Sequence, residues 1–427
     1  MLKRLLRASA VVVAFVIVVL GIAVYLFAFY PLRHPHPPAF RAQGSLAIQD
    51  ALVYTSPDDP PLEHATILVR DGKVTAVGTD LPLPPDAELI PCQGCTVTAG
   101  FWNAHIHFTE AKWLNSEWKS ASVLNAQLAD MLTSRGFTTV VDLGSDLRVT
   151  IPLRRRTEAG ELLGPAIYTA GSAQYPPNGI PYYLRDTLPK YMLRFLPQPT
   201  SPAEAAAVET RNIADGADVL KLFTGSIVEP HEVLPMPEAN AAAAVEVAHS
   251  HGQLAFAHPS DLAGVRIAID SGVDVLAHAP SSPEGVTAEL FQTMVARHMA
   301  MVPTLKMFAT TVTTDPKFLD PIYEEVRSFH SLGGELLFGT DVGYMTDYST
   351  ADEFAALQKC GLDAPTILRM LTASPAGRFG VAETKGHIAP GTDADLVVLA
   401  GDPAKDVGAF SQVLVTVRAG RVVYRRP

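Results

Sequence analysis

His105 and His107 stand two residues apart in the largely apolar run GFWNAHIHF, residues 100–108. In an extended strand successive side chains alternate faces, so both imidazoles point the same way. A single buried histidine is usually a hydrogen-bonded core residue. Two on one face leave several ring nitrogens to satisfy, and a shared cation does this directly. Later apolar runs carry further groups that are expensive to bury alone: Lys221 in VLKLFTG, His258 closing LAFAH, His278 closing VLAH and Asp341 closing LLFGTD. Four imidazoles, a carboxylate and an amine make the nitrogen- and oxygen-rich set that zinc favours.

These residues need elements that bring separate runs to one place. The expected strands are FWNAHIHF, TTVVDLGS, AIYTAGS, VLKLFTG, QLAFAHP, DVLAHA, MVPTLKMF and LLFGTDVG, separated by helical stretches such as VLNAQLADMLTSRG and MPEANAAAAVEVAHSHG. Strands with little polar alternation, divided by helices, predict a parallel sheet buried on both faces. Eight of them predict an α/β fold of the (β/α)8 TIM-barrel type, with the six polar residues at its C-terminal mouth; a doubly wound sheet is the alternative. The two ends read differently. Short β-branched runs with turn signals, such as RDGK, predict a small β-sandwich domain built from residues 45–98 and 383–427 around a barrel over 99–382.

Composition narrows the function. With 427 residues and a formal charge of −11, the chain is no general nucleic-acid binder, and a small-molecule substrate is expected. Lys3, Arg4 and Arg7 precede an uncharged stretch, residues 8–30, long enough as a helix to cross a bilayer. Residues 1–32 are therefore expected to be a cytoplasmic stub and transmembrane signal anchor, with a cleaved signal peptide as the alternative. Residues 33–44 read as a Pro-rich linker, which makes the chain a single-pass membrane protein with an extracytoplasmic body, periplasmic in a bacterium.

The motifs GFWNAHIHF, LKLFTGS, AHP, LAHAP, GTDVG and GHIAPGTDADLVVLAGDP resemble the amidohydrolase superfamily, in its imidazolonepropionase-like and prolidase-like branch, over residues 45–427. The resemblance implies two divalent ions, zinc first among them. His105, His107 and Asp341 would hold one and His258 and His278 the other, with a carboxylated Lys221 bridging them. It also implies hydrolysis of a C–N bond in an amide, peptide or cyclic amide by a metal-bridging hydroxide, with Asp341 moving the proton. An ammonium among divalent cations is repelled, so Lys221 is expected as a neutral amine or an anionic carbamate; the plainer alternative is a lysine that snorkels outward or pairs with Asp341. A mononuclear zinc aminohydrolase (a deaminase), or an idle binding protein on the same scaffold, are the competing readings.

Specificity is expected on the loops after the strands. Tyr175, Tyr182, Tyr183 and Arg185 follow the third strand, Tyr344 follows the eighth, and Lys306 is positioned to meet a substrate carboxylate. Many prolidase-like relatives place a tyrosine in the strand-four region or beyond; here LKLFTGS has Phe223 and AHPSDLAG has Pro259 and Ser260, which puts dipeptide hydrolysis in doubt. His231, His249, His251, His298 and His330 read as surface residues. Cys92 and Cys95 frame the short turn CQGC, compatible with a small disulfide.

Overall fold

The computed structural model describes residues 2–26, 32, 39–282, 284–311 and 316–427, with the side chains of residues 2–11 and 316 left out of the description. Helix α1, Leu2–Val24, opens the chain. It corrects the N-terminal expectation, because no helix among the described residues is long and apolar enough to cross a membrane. The single-pass anchor falls, and with it the membrane contact and the extracytoplasmic placement that rested on it. Residues 27–31 and most of the Pro-rich linker lie outside the described residues.

From Ser45 the chain builds β1 (Ser45–Val53), β2 (Leu62–Arg70), β3 (Lys73–Gly78), β4 (Ala87–Pro91) and β5 (Thr96–Ala99). The C-terminus returns β16 (Leu396–Leu399), β17 (Val413–Arg418) and β18 (Arg421–Arg425), and all eight join one sheet in the order β18-β17-β16-β5-β1-β2-β3, with β4 paired to β1. The two ends meet where β16 runs antiparallel to β5. The hydrogen bonding is continuous rather than split into two sandwich layers. Register shifts after Ile48 and Ala51 turn β1, so that its first half pairs with β4 and its last residues with β5. Leu46, Ile48, Ile67, Val69, Leu396, Val398 and Val417 form the core of this sheet.

Between these ends the remaining strands are short and almost wholly buried, as parallel strands covered on both faces must be. The first three, β6 (Phe101–Ile106), β7 (Phe137–Asp142) and β8 (Ala166–Thr169), form one parallel sheet. A second parallel sheet contains β9 (Val219–Phe223), β12 (Leu254–His258), β13 (Val275–Leu276), β14 (Ala300–Met301) and β15 (Glu335–Leu336). Backbone hydrogen bonds link the sheets at two seams: Ala104 N to Phe338 O and His107 N to Val342 O on one side, Gln174 N to Lys221 O and Phe223 N to Gln174 O on the other. A hairpin of β10 (Gly225–Glu229) and β11 (Glu232–Pro235), absent from the sequence reading, follows β9.

Helices alternate with these strands, and several start where the sequence supplies a cap. Ser201, Asp261 and Asp363 accept the N–H of Glu204, Gly264 and Thr366 at the starts of the helices Pro202–Ala214, Leu262–Asp270 and Ala364–Leu371. The expected seventh strand is cut to Ala300–Met301, and Leu305–Thr311 is a helix, so Lys306 lies on a helix rather than on a strand.

The helix Leu319–Ser331 turns Ile322, Val326 and Phe329 inward at helical spacing, and Glu325 falls on the same buried face with neither carboxylate oxygen hydrogen-bonded. Burial pushes its carboxyl up from 4.5 to about 8. A carboxyl held above its unfolded value keeps its proton in the folded chain and loses it in the unfolded one. Its contribution to stability is therefore full below about pH 4.5 and declines as pH rises towards 8. Glu325→Gln removes this titration. Between pH 5 and pH 8 the variant should gain on the parent by on the order of 3 kcal/mol in urea unfolding. A difference that stays flat across that range would show that the carboxyl is not held uncharged.

Candidate metal centre

His105 and His107 share one face of β6 and its continuation, as strand alternation requires, and Asn103 occupies the same face two residues earlier. The Asn103 side chain accepts the N–H groups of His105 and Thr340 at 3.2 Å each and donates to Thr340 Oγ1 at 2.7 Å, which ties β6 to the turn carrying Asp341. That turn can approach because residue 343 is glycine: a Cβ there would sit 1.8 Å from the His107 carbonyl oxygen, and its φ is +98°. Asp341 itself lies in the left-handed region at φ +58°, as does Thr304 at +50°. Such strain at non-glycine residues gathers where surrounding structure fixes side chains for a task.

The imidazole tautomers follow from their partners. His105 Nδ1 lies 2.7 Å from the Ala277 carbonyl, which can only accept, so the proton sits on Nδ1 and Nε2 keeps its lone pair. Thr304 Oγ1 donates to the Pro303 carbonyl and so accepts from His278 Nδ1 at 2.7 Å, leaving His278 Nε2 bare as well. The bare atoms converge. Donor atoms of His105, His278 and Asp341 all lie within 4.8 Å of one another. Around Asp341 Oδ1, which has no hydrogen-bond partner, His107 Nε2 stands at 3.0 Å and His105 Nε2 at 3.4 Å, with the two Nε2 atoms 3.3 Å apart. These spacings fit a divalent ion: tetrahedral ligands about 2.0–2.1 Å from zinc are separated by roughly 3.3 Å. Without a cation, the lone pairs of His105 Nε2 and Asp341 Oδ1 oppose each other in a dry site, which is costly.

His258 and Lys221 complete the set. The His258 ring lies 4.5 Å from that of His278 and stacks on Phe223 at 4.7 Å. On the neighbouring strand Lys221 pairs in register with Phe256, and its side chain is buried. Burial brings its ammonium down from 10.5 to about 7, a fall that the charge of Asp341 partly offsets. Burial, reinforced by Lys221, also drives His258 well below the ordinary imidazole value, and it does the same to His105 and His278. Neutral imidazoles are the form that binds a metal. The resemblance assigns His278 apart from His105 and Asp341, whereas the structure gathers all three into one contiguous cluster.

Three supporting residues escaped the sequence reading: Asn103, Thr304 and Asp142. Thr304 fixes the His278 tautomer. Asp142, at the end of β7, accepts from Ser145, Thr150 and Thr169, and one of its carboxylate oxygens stands 4.0 Å from His107 Nδ1. Asn103 was not singled out, although the alternating N-x-H-x-H pattern is a signal that could have found it; Thr304 carries no local signal, since its role depends on a neighbouring strand.

The six expected substrate residues divide. Tyr175 is buried and stacks on Phe223 at 4.5 Å; Tyr183 lies 5.6 Å from Tyr182 and 5.4 Å from Tyr344, ring to ring. Burial raises the Tyr183 phenol well above its usual value, with Tyr344, Tyr175 and Asp341 adding to the effect. Arg185 and Lys306 are engaged elsewhere. Arg185 pairs with Glu229 at 2.6 Å and donates to the Val228 carbonyl, while Lys306 Nζ holds Asp347 Oδ2 at 2.8 Å and the Ser349 carbonyl at 2.7 Å. The expected salt link from Lys306 to a substrate carboxylate is thus taken up by the chain's own loop. Cys92 and Cys95 pair as a disulfide, with Cα atoms 5.1 Å apart.

Comparison with known proteins follows the same lines. Residues 96–423 match the model of the amidohydrolase family. An enamidase from Eubacterium barkeri is 23% identical over 360 residues, covering 80% of this chain and 82% of its own length. An adenine deaminase from Rubrobacter xylanophilus is 24% identical over 393 residues, covering 89% of this chain and 57% of its own. Among solved structures, an Xaa-Pro dipeptidase with bound methionine superposes with a TM-score of 0.75 at 22% identity, covering 90% of this chain and all (100%) of that one.

Proposed function

Because the chain belongs to the amidohydrolase family, we propose that it hydrolyses a C–N bond of an amide, peptide or cyclic amide at a centre of two divalent ions held by His105, His107, Lys221, His258, His278 and Asp341. The observation that carries this reading is the convergence of His105 Nε2 and His107 Nε2 on Asp341 Oδ1, with His278 in the same buried cluster. The enamidase, the dipeptidase and the deaminase are all named for C–N bonds, which supports the reaction class. The hydrogen bonds at both sheet seams support one closed (β/α)8 barrel over residues 99–382, with the sheet from residues 45–98 and 383–427 as its companion domain.

Bound divalent ions would polarise the scissile carbonyl and lower the pKa of the attacking water. The chain's own residues do the rest. Asp341 takes the proton of the attacking water on a carboxylate oxygen and delivers it to the leaving nitrogen. The Ala277 carbonyl and the Thr304 hydroxyl hold His105 and His278 in the tautomers that present Nε2. Lys221, brought to about 7, has neutral amine available near neutral pH; its nitrogen can add to carbon dioxide and release one proton, giving an anionic carbamate with two oxygen donors.

A mononuclear aminohydrolase is the second reading, favoured by the compactness of the His105, His278 and Asp341 cluster and by the adenine deaminase match. The two separate in one experiment. Full-length protein loaded with zinc should carry about two ions per chain and release amine and carboxylic acid from members of an amide, cyclic-amide and dipeptide library. One tightly held ion at full activity, with ammonia released from a heterocyclic amine, would replace the first reading by the second.

A further inference from the structure

We propose that Asp142 is a positioning residue for the metal centre: it accepts a hydrogen bond from His107 Nδ1, keeps the ring proton there, and so leaves Nε2 free to hold a divalent ion. This rests on the metal-centre reading above and adds to it a residue outside the six donors.

The three imidazoles around Asp341 differ at their far nitrogens. His105 Nδ1 faces the Ala277 carbonyl and His278 Nδ1 the Thr304 hydroxyl, each at 2.7 Å. His107 Nδ1 is buried and has no hydrogen-bond partner among the described residues. Across from it, at 4.0 Å, stands Oδ1 of Asp142, a side chain with no solvent exposure. The strands bring the two together. β6 and β7 run parallel with Ile106 in register with Asp142, so the carboxylate comes beside the residue that follows Ile106.

Asp142 is itself short of one donor. A carboxylate has about four lone-pair sites. Thr150 and Thr169 donate to Oδ2 and Ser145 to Oδ1, which leaves one site on Oδ1 open among the described residues. A ring nitrogen and a lone pair that both lack a partner therefore face each other across a gap about 1 Å longer than a hydrogen bond. The backbone around the ring is already fixed. His107 N–H donates to the Val342 carbonyl, Leu143 N–H to the Ile106 carbonyl, and Phe108 N–H to Ser145 Oγ, the same hydroxyl that donates to Asp142 Oδ1. Closing the gap thus falls to the side chains.

The other nitrogen of the ring has a rival acceptor. His107 Nε2 stands 3.0 Å from Asp341 Oδ1, and a proton placed there would occupy the atom the ion needs. A neutral imidazole carries one N–H, and the partner of one nitrogen decides the state of the other. Asp142 supplies that partner at Nδ1. A carboxylate in this place also makes Nε2 a stronger donor than the neutral partners of His105 and His278 make theirs.

Asp142→Asn tests the assignment on the full-length protein. With its oxygen kept by Thr150 and Thr169, the carboxamide turns its NH2 towards Nδ1 and favours the proton on Nε2. Zinc affinity, read by competition with a chromophoric chelator, should fall by about 10- to 100-fold. Melting of the metal-free variant should hold or rise, because a buried carboxylate gives way to a neutral group of the same shape. Affinity within about twofold of the parent, or a loss of affinity matched by a loss of metal-free melting temperature, would overturn the proposal. A second measurement needs no variant. In crystals of the zinc-loaded parent, His107 Nδ1 should stand within about 3.2 Å of Asp142 Oδ1. A gap still at 4.0 Å would overturn the proposal even if the variant failed to fold. A parent that takes up no zinc would bring down the metal centre and this inference with it, whereas a parent and variant that bind zinc alike would remove only Asp142 from the centre.

Discussion

Asp341→Asn should lower turnover of any amide this chain hydrolyses by about 10³-fold or more, with the fold intact. The two halves of that expectation have separate grounds. Asparagine matches aspartate in size and tolerates the left-handed backbone that residue 341 adopts at φ +58°, so the turn and its hydrogen bond from Asp341 N to the His105 carbonyl should survive. The carboxamide cannot take a proton from water and hand it to a leaving nitrogen. It also removes a full negative charge from the donor set, so metal content must be measured beside kcat and melting temperature. Loss of turnover at full metal occupancy and unchanged melting would identify proton transfer as the step that fails. Activity within tenfold of the parent would take Asp341 out of that role.

The proposed donors stood out in the sequence because each interrupts or closes an apolar run, and the structure gathers His105, His278 and Asp341 into one cluster. His105, His107, Lys221, His258, His278 and Asp341 are costly on buried strands unless they share a purpose, and a strand's period of two puts the His pair on one face. The same logic found the parallel strands, since a strand covered on both faces reads as an apolar run. It overshot at residues 301–308, where a β-branched and apolar composition looked strand-like while the chain turns at Pro303 and starts a helix at Leu305. Lys306 was misjudged for the same reason: composition shows a cation near the mouth but not the Asp347 and Ser349 oxygens that claim it. Thr304 and Asp142 act across strands, through Nδ1 of His278 and beside Nδ1 of His107, and no spacing within one run records such a partnership. The N-terminal run was read on length and hydropathy, and the helix built there does not reach a membrane span among the described residues.

Lys221→Met separates a metal-holding lysine from one that only fills space. The side chain is 2% exposed, stands in register with Phe256, and has its ammonium about 5.6 Å from the Phe223 ring centroid, with burial bringing it down to about 7. Methionine keeps the length and volume and removes the titrating group, so in a site without metal the exchange should be neutral or stabilising. A lysine that supplies carbamate oxygens predicts the opposite for function. Metal content should fall from about two ions per chain to about one or fewer, and turnover by about 10³-fold or more, while melting of the metal-free protein holds or rises. Carbon dioxide gives a second handle on the same atom. Only the neutral amine adds it, so metal loading of the parent in bicarbonate should be faster and fuller at pH 8 than at pH 6, on either side of the depressed value near 7, and Lys221→Met should show no such difference. A variant that loads two ions and turns over like the parent would leave Lys221 as packing and return the site to a single ion held by imidazoles and Asp341. A variant that is more stable without metal and inactive with it has lost a residue kept for chemistry at a cost to the fold.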